Sequence, residues 1–273
     1  MGSFKDKCIV ITGGATGIGF ALAKAFGAEG AKIVIGEPRQ EKLKAATAEL
    51  ADRGIEASSM VMDVSDPESM QAFANFAWAT YGTVDGLINN AGVSQVAASV
   101  TTTPLEDLRR VFDVNVFGVW HGSAIFGERM EREGRPAFIY NVGSENSFFT
   151  AAPGIGAYVA SKHAVRGLTE VMREELADFI TVGLICPGFV RSDMTHGALG
   201  ELAMDTDEFA GKVIEQIRAG EFYVVTHAYN FERIRPIHDE IDGAYAKYAP
   251  RYDGDDEYDV RTAIRKFMEA RQK

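Results

Sequence analysis

Seven short runs along the chain are apolar without polar alternation: CIVIT (8–12), KIVIG (32–36), SSMVMDV (58–64), GLINN (86–90), AFIYNV (137–142), TVGLIC (181–186) and FYVV (222–225). Such runs are expected of parallel strands covered on both faces, where no side of the strand meets water. Between them the apolar positions switch to helical spacing, predicting helices at 18–29, 39–52, 67–81, 105–131, 157–178 and 207–219. Ser65 and Asp66 before Pro67 are a cap beside a first-turn proline. Strand and helix alternating this often predict a single-domain, Rossmann-like, doubly wound parallel sheet of about seven strands with helices on both faces.

The alternation stops near Tyr229. Residues 1–228 are expected to form the dinucleotide-binding and catalytic part. Residues 229–273 are expected to be a helical C-terminal extension of the same domain, two helices joined by a polar loop. That tail carries Tyr229, Phe231, Tyr245, Tyr248, Tyr252, Tyr258 and Phe267 around an acidic run from Asp253 to Asp259. It reads either as a lid on the pocket or as an arm on a neighbouring subunit.

Charge and cysteine usage narrow the function classes. With 28 Lys and Arg against 39 Asp and Glu, the net charge is −11. A surface that acidic repels phosphate backbones, so nucleic acid is not an expected partner. The two cysteines, Cys8 and Cys186, lie in apolar runs with neither disulfide nor metal-ligand spacing, so no metal is expected. No apolar stretch reaches the length of a membrane span or a signal peptide, and Asp6 stands where a myristoylation motif wants Ser or Thr. The expected location is cytoplasmic.

The chemistry begins at Thr12-Gly13-Gly14-Ala15-Thr16-Gly17-Ile18-Gly19, between the first strand and the first helix. A glycine-rich turn there lets backbone amides and a helix N-terminus approach a pyrophosphate. Glu37 closes the second strand, about where a ribose-binding carboxylate belongs. A carboxylate there accepts from both ribose hydroxyls and repels a 2′-phosphate, so NAD is expected over NADP. Arg39, two residues on, is the complication, and it is expected to face solvent or stack on adenine.

Tyr158 and Lys162 stand at i and i+4 and share a helix face. Bringing a phenol from about 10 to near neutrality takes about 4 kcal/mol. One charge about 4 Å away at an effective dielectric near 20 supplies that order of energy. The pair is therefore adequate for proton transfer to an alkoxide.

In order, the chain presents TGxxxGxG, Asn89-Asn90-Ala91-Gly92 after the fourth strand, Asn115 in the next helix, Ser144 after the fifth strand, YxxxK, and Pro187-Gly188 after the sixth. Across roughly residues 5 to 226 this resembles the short-chain dehydrogenase/reductase family. The resemblance implies an NAD(P)-dependent enzyme acting on CH–OH groups. Tyr158 would be the general acid/base, Lys162 would lower its pKa and hold the nicotinamide ribose, and Ser144 would bond the substrate oxygen. Asn115 would hold a water linking Lys162 to solvent. The cofactor would lie along Gly13, Thr16, Gly17, Ile18, Gly19 and Glu37. Asp63 and Val64 would meet the adenine, and Asn89, Ala91 and Gly92 would line the ribose path. Pro187, Gly188, Val190 and Ser192 would seat the carboxamide. One residue more than the family pattern separates Ser144 from Tyr158, which leaves Ser147 as the alternative to Ser144.

The expected substrate is a small-molecule secondary alcohol or ketone, aromatic or alicyclic, beside Phe148, Phe149, Phe189 and Met194, with a loop near 193–206 closing over it. Phe148 and Phe149 also fit ordinary core positions. A redox-inactive NAD(P)-sensing regulator is the alternative function. Val116, Val119 and Trp120 on one helix and Val165, Leu168 and Met172 on another place apolar residues on more than one side. In the resembling family the outer side packs on a two-fold mate, which implies a homodimer or homotetramer.

Overall fold

The computed structural model describes residues 2–195 and 200–271, and the chain divides into two compact units, 1–228 and 229–273. The first holds a seven-stranded sheet: β1 (Cys8–Thr12), β2 (Lys32–Glu37), β3 (Ala57–Val61), β4 (Gly86–Asn89), β5 (Ala137–Val142), β6 (Ile180–Cys186) and β7 (Tyr223–Val225). Their spatial order is β3-β2-β1-β4-β5-β6-β7 and every pairing is parallel. The order reverses between β1 and β4. In open sheets of this kind, ligands bind in the crevice that such a reversal opens beyond the carboxyl ends.

Helices α1 (Gly17–Ala28), α2 (Gln40–Asp52), α3 (Pro67–Tyr81), α4 (Leu105–Phe112), α5 (Gly118–Glu133), α6 (Gly156–Glu175) and α7 (Thr206–Ala219) cross between the strands. Two apolar cores result. One gathers Ile9, Ile11, Ile33 and Ile35 with Leu22, Phe26 and Phe209; the other gathers Val10, Val34 and Leu87 with Phe73, Trp78 and Phe126. Alternate residues of one strand serve opposite layers, as a strand period of two requires. Asp66 caps α3 through its side chain, accepting from the Glu68 amide at 2.9 Å ahead of Pro67.

Two glycines hold large aromatics in the sheet. A Cβ at Gly183 would come within 2.1 Å of the Tyr140 ring, and one at Gly86 within 2.1 Å of the Phe138 ring. In each case the glycine is directly paired with the aromatic residue, or lies beside it, on the adjacent strand. Tyr140 and Phe138 are fully buried.

The observed elements depart from the expected ones at several points that bear on the site. The third strand ends at Val61 rather than running to residue 64, because Asp63 turns the chain: its Oδ1 accepts from the amide and hydroxyl of Ser65 at 2.9 and 2.7 Å. The helix expected over 105–131 is interrupted by a π-helical turn, Asp113–Phe117, before continuing as α5. The short 3₁₀ turn Glu145–Ser147 has no counterpart in the predicted pattern.

The second unit consists of α8 (Asn230–Tyr248) and α9 (Val260–Arg271), with a 3₁₀ turn at Asp255–Tyr258 between them. None of the described helices is long and apolar enough to cross a membrane.

Candidate active site

The turn after β1 is fixed by groups from the turn after β4. Thr12 Oγ1 accepts from the amides of Asn90 and Ala91 at 3.0 and 3.1 Å, and Asn90 Nδ2 donates to Thr12 O and Gly13 O at 2.9 and 3.0 Å. Gly13 adopts φ +62° with its α-carbon facing Ala91, where a Cβ would come to 2.9 Å of the Ala91 Cα. Gly17, at φ +54°, faces Ser192 across the crevice, and Ile18 packs partly buried on the first core. Side chains at these glycines would fill the space between the turns.

Helix α1 begins at Thr16 with no side-chain cap. Helices α3 and α7 are each capped by an aspartate. No capping side chain, then, takes up the first-turn amides of α1, and the positive end of the helix dipole faces the crevice. Such an end suits a phosphate.

Glu37, only 3% exposed, ends β2 at the same edge. Arg39 is half exposed, as expected of a solvent-facing side chain, and is also paired. Its Nε donates to Glu37 Oε1 at 2.5 Å, Nη1 to Asp193 at 3.2 Å and Nη2 to Thr16 Oγ1 at 3.2 Å. It joins the glycine turn, the β2 carboxylate and the segment after β6. The hydrogen bond it donates to Glu37 raises its pKa above the ordinary guanidinium value.

Not every member of the expected cofactor set faces the crevice. Asn89 sends its side chain inward: Nδ2 donates to Ser123 Oγ at 3.1 Å and Asn141 Oδ1 at 2.9 Å, and Asn141 Nδ2 donates to Thr169 at 3.0 Å. That side chain links β4, β5 and the flanking helices in the interior. Val64 is likewise buried, against Gly118, and its carbonyl bonds the His121 ring at 3.0 Å. Asp63 is exposed at the end of β3. Ala91 and Gly92 do lie along the crevice. A Cβ at Gly92 would stand 3.4 Å from Asn115 Oδ1 and 3.6 Å from Lys162 Nζ.

The reactive groups converge where β4, β5 and β6 end. Ser144 begins the 3₁₀ turn, where its hydroxyl accepts from the Asn146 amide at 3.1 Å, and it lies close enough to Tyr158 to favour release of the phenol proton. Ser147 is spent elsewhere: its hydroxyl donates to Lys162 O at 2.8 Å and accepts from the Ser144 amide at 3.2 Å. Of the two serines, it is Ser144 that lies against Tyr158. Lys162, 4% exposed, donates from Nζ to Val142 O at 2.8 Å, and Nζ lies 5.6 Å from the centroid of the Tyr158 ring.

The electrostatics differ from the expected picture. Burial lowers the Lys162 pKa to about 8. Burial also raises the Tyr158 pKa above that of a free phenol; the Ser144 hydroxyl works against this rise and the negative charge of Glu145 adds to it. The expected lowering of the phenol by Lys162 is therefore corrected for the protein alone. In the protein alone burial outweighs the contribution of Ser144, while Lys162, at about 8, still carries most of its charge near neutral pH.

Asn115 sits in the π-helical turn, fully buried, and its side chain is fully committed. Oδ1 accepts from the Val93 amide at 2.8 Å, while Nδ2 donates to Val93 O at 2.9 Å and to Ser161 Oγ at 3.0 Å. The side chain clamps the segment after Gly92 to α6. A π-helical turn displaces the regular hydrogen-bond ladder, and such turns recur at functional sites.

Gln95 was not among the expected residues. Its Oε1 accepts from the amides of Ala157 and Tyr158 at 2.5 and 3.2 Å, capping α6 from 62 residues away, and Nε2 donates to Thr103 at 3.2 Å. No spacing rule reveals such a cap. Two of the expected pocket aromatics are core instead: Phe149 is 8% exposed, and Phe148 packs beside Val119, Val165 and Leu184 and edge-on to Tyr223. Met194 is half exposed on the segment after β6, and Phe189 is partly buried. Part of the expected closing loop, 196–199, lies outside the described residues.

Comparison with known proteins agrees with this geometry. The sequence pattern of the short chain dehydrogenases matches residues 7–201. A 1-deoxy-11-beta-hydroxypentalenate dehydrogenase of Streptomyces avermitilis is 34% identical over 80% of this chain and 84% of its own length. A 3alpha-hydroxysteroid dehydrogenase of Mediterraneibacter gnavus is 35% identical over 70% of this chain and 76% of its own. A short-chain dehydrogenase/reductase from Burkholderia phymatum, solved in complex with NAD, superposes with a TM-score of 0.85 at 28% identity, covering 92% of this chain and 99% of that one. The glycine turn, the Asn-Asn-Ala-Gly segment and the Ser–Tyr–Lys cluster thus stand in a matching fold, and the chain belongs to the short-chain dehydrogenase/reductase family.

Proposed function

We propose that this chain exchanges a hydride between NAD and a secondary alcohol or the corresponding ketone, with Tyr158 as the proton-transferring group. The observation that carries the reading is the convergence of Ser144, Tyr158 and buried Lys162, whose Nζ lies 5.6 Å from the Tyr158 ring, at the sheet edge where α1 begins uncapped. The nicotinamide ring, when bound, supplies the hydride acceptor or donor. The protein's part is positioning and proton transfer. Ser144 holds the substrate oxygen near the phenol, and Tyr158 Oη takes the hydroxyl proton in oxidation or returns it in reduction. Lys162 holds positive charge beside the phenol. Alicyclic substrates are favoured by the two relatives named for pentalenate and steroid substrates. Replacing Tyr158 by Phe should leave the fold and NAD binding intact and lower kcat by about 10²–10⁴. Near-normal turnover of the variant on a panel of secondary alcohols, followed at the nicotinamide absorbance, would refute the role.

The second expectation concerns pH. Oxidation needs the phenolate, and the charge of Glu145 opposes its formation. Glu145→Gln removes that opposition, so the phenol pKa falls. The rising limb of the alcohol-oxidation pH profile should move to lower pH by about half a unit to one unit. An unchanged profile, or one displaced upward, contradicts the electrostatic reading.

Cofactor choice rests on Glu37. Its buried carboxylate suits the two ribose hydroxyls and opposes a 2′-phosphate, while Arg39 is occupied by Glu37, Thr16 and Asp193. Glu37→Ser should weaken NAD use and strengthen NADP use, because Arg39 then lacks its shortest partner. Measured kcat/KM for both cofactors decides it: a wild-type enzyme ten-fold better with NADP would give the choice to Arg39.

Assembly is the last element. The outer faces of α5 and α6 form an apolar groove of about 640 Å³ lined by Val116, Trp120, Ala164, Leu168 and Val171. Trp120 and Val171 are 57% and 49% exposed. We assign this face to a second copy of the chain, in a homodimer or homotetramer burying about 2,000 Å² or more. Sedimentation should find a multiple of 29.7 kDa at micromolar concentration, and Trp120→Asp should reduce it to a single chain. A lone monomer in the wild type would end the proposal.

A further inference from the structure

The segment after β6 has few means of holding its own shape. Pro187 has no amide hydrogen, Gly188 has no side chain, and both stand at the sheet edge beside the reactive cluster. Part of the anchoring is backbone: the Glu145 amide donates to Pro187 O at 2.7 Å, and the Met204 amide donates to Phe189 O at 3.0 Å. A side chain adds to it: His227, which lies two residues beyond the end of β7.

The register explains why His227 reaches this turn. Cys186 pairs with Val225 as the last residues of a parallel ladder. Two residues further along each chain are Gly188 and His227. The ladder has ended, and the imidazole replaces it. The Gly188 amide donates to His227 Nδ1 at 3.2 Å, and His227 Nε2 lies 3.3 Å from Phe189 O.

These bonds require one form of the ring. A backbone amide only donates, so Nδ1 must be the unprotonated acceptor, and Nε2 then carries the hydrogen that it donates to Phe189 O. The Thr226 hydroxyl, 2.8 Å from Nδ1, is the donor of a second bond to the same atom. One neutral tautomer therefore grips two consecutive residues of the turn through a donor and an acceptor.

We infer that His227 is a positioning residue that sets the Pro187–Phe189 turn for the nicotinamide end of the cofactor. This rests on the cofactor reading given under Proposed function. It predicts a division of effects, because the adenosine end is built from Gly13, Gly17 and Glu37 on the far side of the crevice and does not involve His227.

The test compares two probes on the full chain. NAD carries the nicotinamide ring, and ADP-ribose lacks it while keeping the adenosine and the pyrophosphate. His227→Leu removes both bonds and should weaken NAD binding about ten-fold in Kd, as loss of hydrogen bonding at about 1.4 kcal/mol implies. Its ADP-ribose affinity should stay within two-fold of wild type. His227→Asn presents an amide oxygen near the position of Nδ1, restores the acceptor for Gly188 and should recover most of the NAD affinity. Equal loss for both probes, or no change for either, would overturn the inference, as would failure of His227→Asn to recover NAD binding in a folded variant. Wild-type protein that binds ADP-ribose but gains nothing from the nicotinamide ring would also overturn it. Wild type that binds neither probe would instead overturn the cofactor reading beneath it, which makes the two failures distinguishable.

Discussion

Side-chain amides from four asparagines tie chain segments together at the carboxyl edge of this sheet, although Asn89 Oδ1 is left buried without a partner among the described residues. Asn90 spends its amide on the carbonyls of the glycine turn. Asn89 and Asn141 bond one another and reach Ser123 and Thr169 on the helices. Asn115 clamps Val93 and reaches Ser161. Leaving such a group unpaired costs about 1–3 kcal/mol, so each bond fixes the spacing of two chain segments that the apolar cores alone would let slide. These bonds link the segments that border the crevice.

Much of the fold was legible in the order of apolar runs, since a parallel strand buried on both faces carries a continuous signature. The boundaries that failed did so for local polar reasons, as at Asp63, whose carboxylate turns the chain before Val64 can pair. The reactive cluster was legible because Tyr158 and Lys162 lie one helical turn apart and the helix period is fixed. Gln95 and Asn90 were not legible, because their partners are 62 and 77 or more residues away and only the tertiary fold brings them together. Nor was the state of the Tyr158 phenol: sequence places a lysine beside it, but how far burial penalises each charge is a property of the packed structure.

The charges around that phenol oppose one another. Glu145 adds to the burial that keeps the proton on, Ser144 favours its release, and Lys162 carries a charge that burial has already made costly to hold. A group whose charged form is disfavoured by burial responds to a charge brought near it. A cationic ring brought close would tip it toward phenolate, and its neutral form would not, so the direction of proton transfer is tied to which form of the cofactor is present.

The paired glycines of the sheet carry a consequence for how this sequence can drift over generations. Gly183 leaves room for Tyr140, and Gly86 for Phe138, each beside its partner on the adjacent strand. Enlarging the small member alone forces a ring out of place, and shrinking the large member alone leaves a void in a close-packed interior. Neither position is free to change first. Relatives that abandon the glycine are expected to have exchanged the aromatic in the same lineage, so the two columns of an alignment should vary together while the strand pairing they sit on stays the same.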